Sequence, residues 1–89
     1  MYTIFYTQGA RRDLDGVDFS VSQRIVQKIF FYSRQKNPLS FAKRLHDARF
    51  GHYRFRIGDY RAIFDVEKTG MIHVLMILRI KHRKDVYGF

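Results

Sequence analysis

Residues 53–87 read YRFRIGDYRAIFDVEKTGMIHVLMILRIKHRKDVY, and the fold of the chain turns on them. Tyr53, Phe55 and Ile57 alternate with Arg54 and Arg56, the period of two that a strand imposes on its faces. Gly58-Asp59 then supplies a two-residue hairpin turn. After it Tyr60, Ala62, Phe64 and Val66 continue the apolar side, with Arg61, Ile63 and Asp65 opposite. Lys68-Thr69-Gly70 marks a second hairpin loop. The segment 71–80 is apolar on both faces and is expected to lie centrally, and residues 84–87 are expected to form one helical turn. One sheet face is thus built to fold and the other to hold something anionic.

Working outward to the N-terminus, residues 2–7 alternate and are rich in aromatic and β-branched side chains, which predicts a strand. A short helix is expected over 10–14. Ser20 is a candidate N-cap, with Gln23 completing a capping box. Val21, Ile25, Val26, Ile29, Phe30 and Ser33 then follow helical spacing, and the helix should stop before Asn37-Pro38. A further turn is expected over 41–45. Phe30, Phe31 and Tyr32 cannot all face one core, so they form a packed edge or leave an exposed apolar patch. The expected fold is α+β: a small curved antiparallel sheet in the order β-α-α-β-β-β, with two N-terminal helices on one face. Those helices would cover Tyr53, Phe55, Ile57, Tyr60, Ala62 and Phe64, leaving Arg54, Arg56 and Arg61 to solvent.

Eighty-nine residues make one domain, and 46% hydrophobic and 17% aromatic content suffices for a core. Having no Cys, the chain has neither disulfides nor thiolate chemistry, which suits a reducing cytosol. No signal-peptide pattern opens the chain, and the apolar run 71–78 is well short of the roughly 20 residues that span a bilayer. A cytoplasmic location with no membrane contact is expected. Seventeen Lys and Arg against eight Asp and Glu give +9. No acid lies between Phe19 and His46, or between Met71 and Lys84. Such a surplus favours nucleic acid, the ribosome or an acidic protein. A domain that is merely basic is the plainer alternative.

The chemistry is bounded by what is missing. His46, His52, His73 and His82 have no zinc-ligand spacing, and the carboxylates are too scattered for a two-metal nuclease. Neither a phosphate-binding Gly loop nor a Ser-His-Asp set is present. What remains is Arg, Lys, Tyr and His, an inventory that suits RNA cleavage by the substrate's own 2′-hydroxyl. The protein must then align that hydroxyl, stabilise charge on phosphorus and protonate the leaving 5′-oxygen. No cofactor or metal is expected.

The run YRFRIGDYRAIFDV, the hydrophobic strand after it and the terminal HRKDVY resemble the RelE family of the RelE/ParE toxin superfamily. The likeness spans nearly the whole chain, and G-D-Y-R together with H-R-x-x-V-Y carries it. The resemblance implies the toxin of a type II toxin–antitoxin system, a ribosome-dependent and metal-independent endoribonuclease that cuts mRNA in the A site and leaves a 2′,3′-cyclic phosphate. It implies phosphate binding by Arg54 and Arg56, where RelE carries Lys, and transition-state binding by Arg61. Lys81 stands where RelE has the Arg that protonates the leaving group. Arg83 matches the next basic position, and Tyr87 the terminal Tyr that stacks on a base or orients the 2′-hydroxyl. Arg79 and Lys84 are further candidate RNA contacts. Arg56 is a poor general base, so His82 is the candidate substitute.

Structural roles stand beside these. Arg54 and Arg56 could be solvated charges, Arg61 could pair with Asp59 or Asp65, and Tyr87 could pack the C-terminus. Expected partners are a cognate antitoxin laying an acidic or amphipathic segment over the basic groove, the ribosome and mRNA, with DNA met only through the antitoxin complex. The alternative functions are a ParE-like gyrase poison, or an inactive module that binds antitoxin and represses its operon.

Overall fold

The computed structural model describes residues 1–46, 49 and 51–86. The chain forms β1 (Thr3–Tyr6), α1 (Gln8–Asp15), α2 (Phe19–Ser33), a 3-10 turn (Pro38–Phe41), β2 (Ala42–Arg44), β3 (Tyr53–Ile57), β4 (Tyr60–Thr69), β5 (Ile72–His82) and α3 (Arg83–Val86). The five strands make one sheet in the order β1-β5-β4-β3-β2. The α+β class and the helix pair are as expected. Two details differ. The sheet is mixed, because β1 runs parallel to β5, and it gains β2 as an edge strand.

The helices carry the chain from the β1 edge to the β2 edge and bury one sheet face. Ala10, Ile25, Ile29 and Tyr32 pack on Phe55, Ile57, Ala62, Phe64, Leu75, Ile77 and Ile80. At the centre the Phe55 and Phe64 rings stack at 4.2 Å, and Tyr32 adds a third ring 4.6 Å from Phe55. Truncating either fully buried Phe to Ala would cost about 3–5 kcal/mol. Phe30 and Phe31 remain on the surface, beneath the Arg34 and Lys28 side chains respectively. Of the three consecutive aromatics, only Tyr32 enters the core.

The expected capping box is absent. α2 begins at Phe19 with Asp18 at its N-cap and no side-chain cap bond, so Ser20 sits inside the first turn. The helical turn expected over 41–45 is replaced by the 3-10 turn and β2. Pairing of Ala42 with Phe55 and Arg44 with Tyr53 gives that segment hydrogen bonds which an isolated helical turn could not sustain. Both hairpins close with two-residue turns. Gly58 and Gly70 each take φ +59 and no other residue type has positive φ among the described residues, so Asp59 does not. One positive φ at the first turn position is the type II′ pattern. The second turn is Gly70-Met71, since Thr69 already pairs with Ile72.

A bulge governs β5. Ile63 pairs with Arg79 but Phe64 pairs with Ile77, leaving Leu78 as the extra residue. Leu75, Ile77 and Ile80 are therefore all buried despite unequal spacing. The bulge is one reason that β5 reads as apolar on both faces; Val74 and Met76, out of phase with Leu75 and Ile77, are the other. It also inverts the alternation beyond Leu78, which decides where the terminal basic residues point.

Beyond Tyr6 the β5 edge has lost its strand partner, and α1 covers it. The Thr7 hydroxyl donates to the Leu78 carbonyl at 2.8 Å while accepting from Ala10 N as the α1 cap. Asp13 Oδ2 accepts from Ile80 N at 2.8 Å. Two side chains thus satisfy backbone groups that a bare edge would leave open.

Candidate nucleic-acid interface

Strand pairing converts the alternation of residues 53–82 into rows. Arg56 lies opposite Arg61, and Arg61 opposite Lys81; one row along, Arg54 faces Ile63. Phe55, Ala62, Phe64 and Ile80 point into the core, so the four basic residues belong to the outer face. Adjacent strands lie about 4.8 Å apart, so Arg56, Arg61 and Lys81 make a cross-strand line of cations about 10 Å long. Like charges opposite one another in a sheet repel. An anion with several oxygens, as in a phosphodiester, is the ligand that such a line suits.

These side chains differ in setting. Arg56 is exposed and Arg54 and Lys81 are half-buried, whereas Arg61 is only 6% accessible. Arg61 Nη1 donates to the carbonyls of Gly58 and Tyr60, both at 2.9 Å. The guanidinium therefore holds the β3–β4 turn, and those bonds offset the cost of burying it. Of the acids weighed as its partners, Asp65 is bound by His52 at 2.7 Å. Asp59 approaches Arg83 at 3.8 Å, an exposed pair of little energetic weight.

Other expected residues lie elsewhere. Arg79 reaches α1, donating from Nε and Nη2 to Asp13 at 2.8 and 3.1 Å. Burial pushes the Asp13 carboxyl up. The Arg79 hydrogen bonds, the Ile80 N–H and the charges of Arg79 and Lys81 outweigh it, and the carboxyl ends below the ordinary range. The same hydrogen bonding raises Arg79 further. His82 pairs in register with Tyr60, and the rings meet edge to face at 5.4 Å. That is the helix side of the sheet, so the residue offered as general base is not in the basic row. Its Nδ1 also accepts from Lys84 N at 3.2 Å. Arg83 and Lys84 are exposed on α3. Tyr87 lies outside the described residues. Among the described residues no three His, Asp or Glu converge to hold a cation.

Sequence reading passed over one pair. His52 stands just before β3, and both its backbone N–H and its Nδ1 meet Asp65 Oδ1, at 2.6 and 2.7 Å. The available signal was an acid alternating in phase with Arg61 on an otherwise cationic face.

Comparison with known proteins bears on this arrangement. A family described as "ParE toxin of type II toxin-antitoxin system, parDE" matches residues 4–87. Toxin RelG of Mycobacterium tuberculosis is 30% identical over 86 residues, 97% of this chain and 95% of that protein. In the toxin–antitoxin complex RelBE2 from the same organism, one chain superposes with a TM-score of 0.76 at 31% identity, covering 92% of this chain and 98% of that one. The archaeal RelE–RelB complex of Pyrococcus horikoshii gives a TM-score of 0.66 at 22% identity over 92% of this chain and 94% of its counterpart, a likeness of fold. No helix among the described residues is long and apolar enough to cross a membrane. The chain belongs to the RelE/ParE family of toxins of type II toxin–antitoxin systems.

Proposed function

We propose that this toxin is an mRNA interferase: a ribosome-dependent, metal-independent endoribonuclease acting on mRNA in the A site. The observation that carries the reading is the row Arg56–Arg61–Lys81 beside Arg54 on the sheet face away from the helices. In the reaction the substrate's 2′-oxygen attacks phosphorus and its proton passes to solvent water, while the P–O5′ bond breaks and the 5′-oxygen takes up a proton from the Lys81 ammonium. The products are a 2′,3′-cyclic phosphate and a 5′-hydroxyl. Arg54 and Arg56 hold the phosphate oxygens, and Arg61, fixed by the turn carbonyls, meets the charge that builds in the transition state. Lys81, at the end of the row, is the acid for the leaving oxygen. Tyr87 is assigned to stack on a base, and Arg83 and Lys84 to neighbouring phosphates.

No strong base lies in the row, so the ribosome is assigned the positioning of the strand, and free RNA should be cut poorly. A cognate antitoxin would cover the face with an acidic or amphipathic segment and bring the toxin to operator DNA. The homologous toxins solved as complexes with antitoxins support such a partner.

The test is to induce the toxin in bacteria and map mRNA 5′ ends. Growth arrest with new codon-phased ends is expected, and Arg56→Ala, on an exposed position, should reduce those ends by about 100-fold. Arrest without new ends would sink the reading. A DNA-gyrase supercoiling assay then examines the second reading, gyrase poisoning, which the ParE description of the matching family favours. Neither arrest nor gyrase inhibition would leave an antitoxin-binding repressor.

A further inference from the structure

Asp65 is out of place on a face that binds phosphate. It alternates with the buried Phe64 and lies in phase with Ile63 and Arg61 along β4. A free carboxylate there would repel an RNA backbone, yet this one is held rigidly. Oδ1 accepts from His52 N at 2.6 Å and meets His52 Nδ1 at 2.7 Å. Both contacts end on that one oxygen, and Oδ2 carries no hydrogen bond within the described residues. The side chains keep 49% and 30% of their surfaces accessible, so both the imidazole and the carboxylate can be reached from solvent.

Two functions fit a carboxylate-bound imidazole on such a face: proton transfer or base recognition. Distance decides between them. Strand geometry sets His52 about 13 Å from Arg56 along β3, with the Arg54 row between them. A general base must come within about 3 Å of the 2′-hydroxyl that it deprotonates. His52 is two rows too far from Arg56 and Arg61 for that. One row, about 6.8 Å, is comparable to a single nucleotide step in an extended strand. The pair therefore lies one step from the phosphate held at the Arg54 row and two from the Arg56 row.

We propose that His52 and Asp65 read a base one or two nucleotides from the scissile phosphate and so set part of the sequence preference of cleavage. The proposal rests on the ribonuclease reading above. Asp65 Oδ2 accepts from N–H or O–H groups; on RNA those are the base-edge N–H groups, such as the exocyclic amine of cytosine, and the 2′-hydroxyl, of which only the base edges differ with sequence. The His52 ring supplies the stacking plane that holds a splayed base against it. Phosphates fall instead to Arg54 on the one side and to Lys43, which pairs with Arg54, beyond it.

The experiment maps mRNA 5′ ends after induction of the wild type, Asp65→Asn and His52→Gln, each set of ends normalised to its own total. Thermal unfolding of the purified proteins identifies which variants keep the fold. In the wild type one base is expected to be enriched at a fixed position beside the cut. Asp65→Asn keeps an oxygen for the His52 N–H and turns the second acceptor into a donor. Enrichment of that base should fall by about tenfold, as loss of a hydrogen bond to a charged acceptor implies, and a base offering an acceptor should replace it. His52→Gln removes the stacking plane and should flatten the preference at the same position. An unchanged base distribution in a folded variant that still cuts overturns the proposal. So does loss of all cutting in folded variants, because a base reader selects sites and is not needed for bond breaking. An absence of new ends with the wild type overturns the ribonuclease reading itself, and this one with it.

Discussion

Gly51 has φ +142, and a Cβ built there would lie 2.6 Å from Ile63 Cγ2 and 3.2 Å from Leu78 Cδ1. The backbone at Gly51 thus closes over Ile63, which is fully buried on the face that otherwise carries charge. Gly51→Ala combines an unfavourable dihedral with overpacking and should cost about 2–4 kcal/mol. A urea melt would read this as a lower midpoint at constant slope, and an unchanged midpoint would mean that this backbone yields freely. Tyr6 gives the opposite sign. Burial pushes its phenol up to about 12, and its hydroxyl has no partner among the described residues. Tyr6→Phe removes an unsatisfied polar atom and should be neutral or stabilising by up to about 1 kcal/mol, with the Tm unchanged or raised. Arg54 and Arg56 were legible in the sequence, because alternation fixes a face by itself. The burial of Arg61 was not, since it depends on two turn carbonyls that converge only once the hairpin closes.

Elements divide along the same line. α2, β3 and β4 were legible because their periodicity is written locally. β2 was not: three residues hold no period, and only pairing with β3 makes them a strand. The β5 bulge was hidden for a related reason. Counting alternate residues onward from Leu75 and Ile77 would put Lys81 in the core and His82 among the arginines. The extra residue at Leu78 exchanges them, so Lys81 faces Arg61 and His82 meets Tyr60. The α1–β5 joint holds that exchange in place, and it has a pH signature. The Asp13 carboxyl is depressed in the folded chain. Its contribution is therefore complete above the unfolded carboxylate value of about 3.9 and is lost as pH falls through the lower folded value. Asp13→Asn should cost about 1–3 kcal/mol at neutral pH, through loss of the charged bonds to Arg79 and Ile80 N. The gap between variant and wild type should close as pH falls below about 4. A gap that stays constant down to the acid limit would show that the joint does not depend on this charge.

At the scale of the whole molecule, the proposed function predicts that the +9 charge and the basic sheet face contribute separably to RNA binding. On the ribonuclease reading, diffuse charge would draw RNA to every surface, whereas the rows on β3, β4 and β5 would fix particular phosphates. Counterion release distinguishes the two, since each phosphate neutralised on a single strand adds about 0.7 to the slope of log K against log salt. Three to four contacts, from Arg54, Arg56, Arg61 and Lys81, predict a slope of about −2 to −3 for a short unstructured RNA. Replacing both Arg54 and Arg56 with Ala should make the slope shallower by about 1.4 and weaken binding across all sequences alike. Replacing Lys28 of α2 and Arg34 at its C-cap, equal in charge but carried by the helix that covers the other sheet face, should change it far less. Fluorescence anisotropy of a labelled RNA from about 30 to about 300 mM KCl, one decade of salt, measures all three proteins. Equal losses of slope in the two double variants would mean that RNA is held by net charge, and that the rows have no privileged role in binding it.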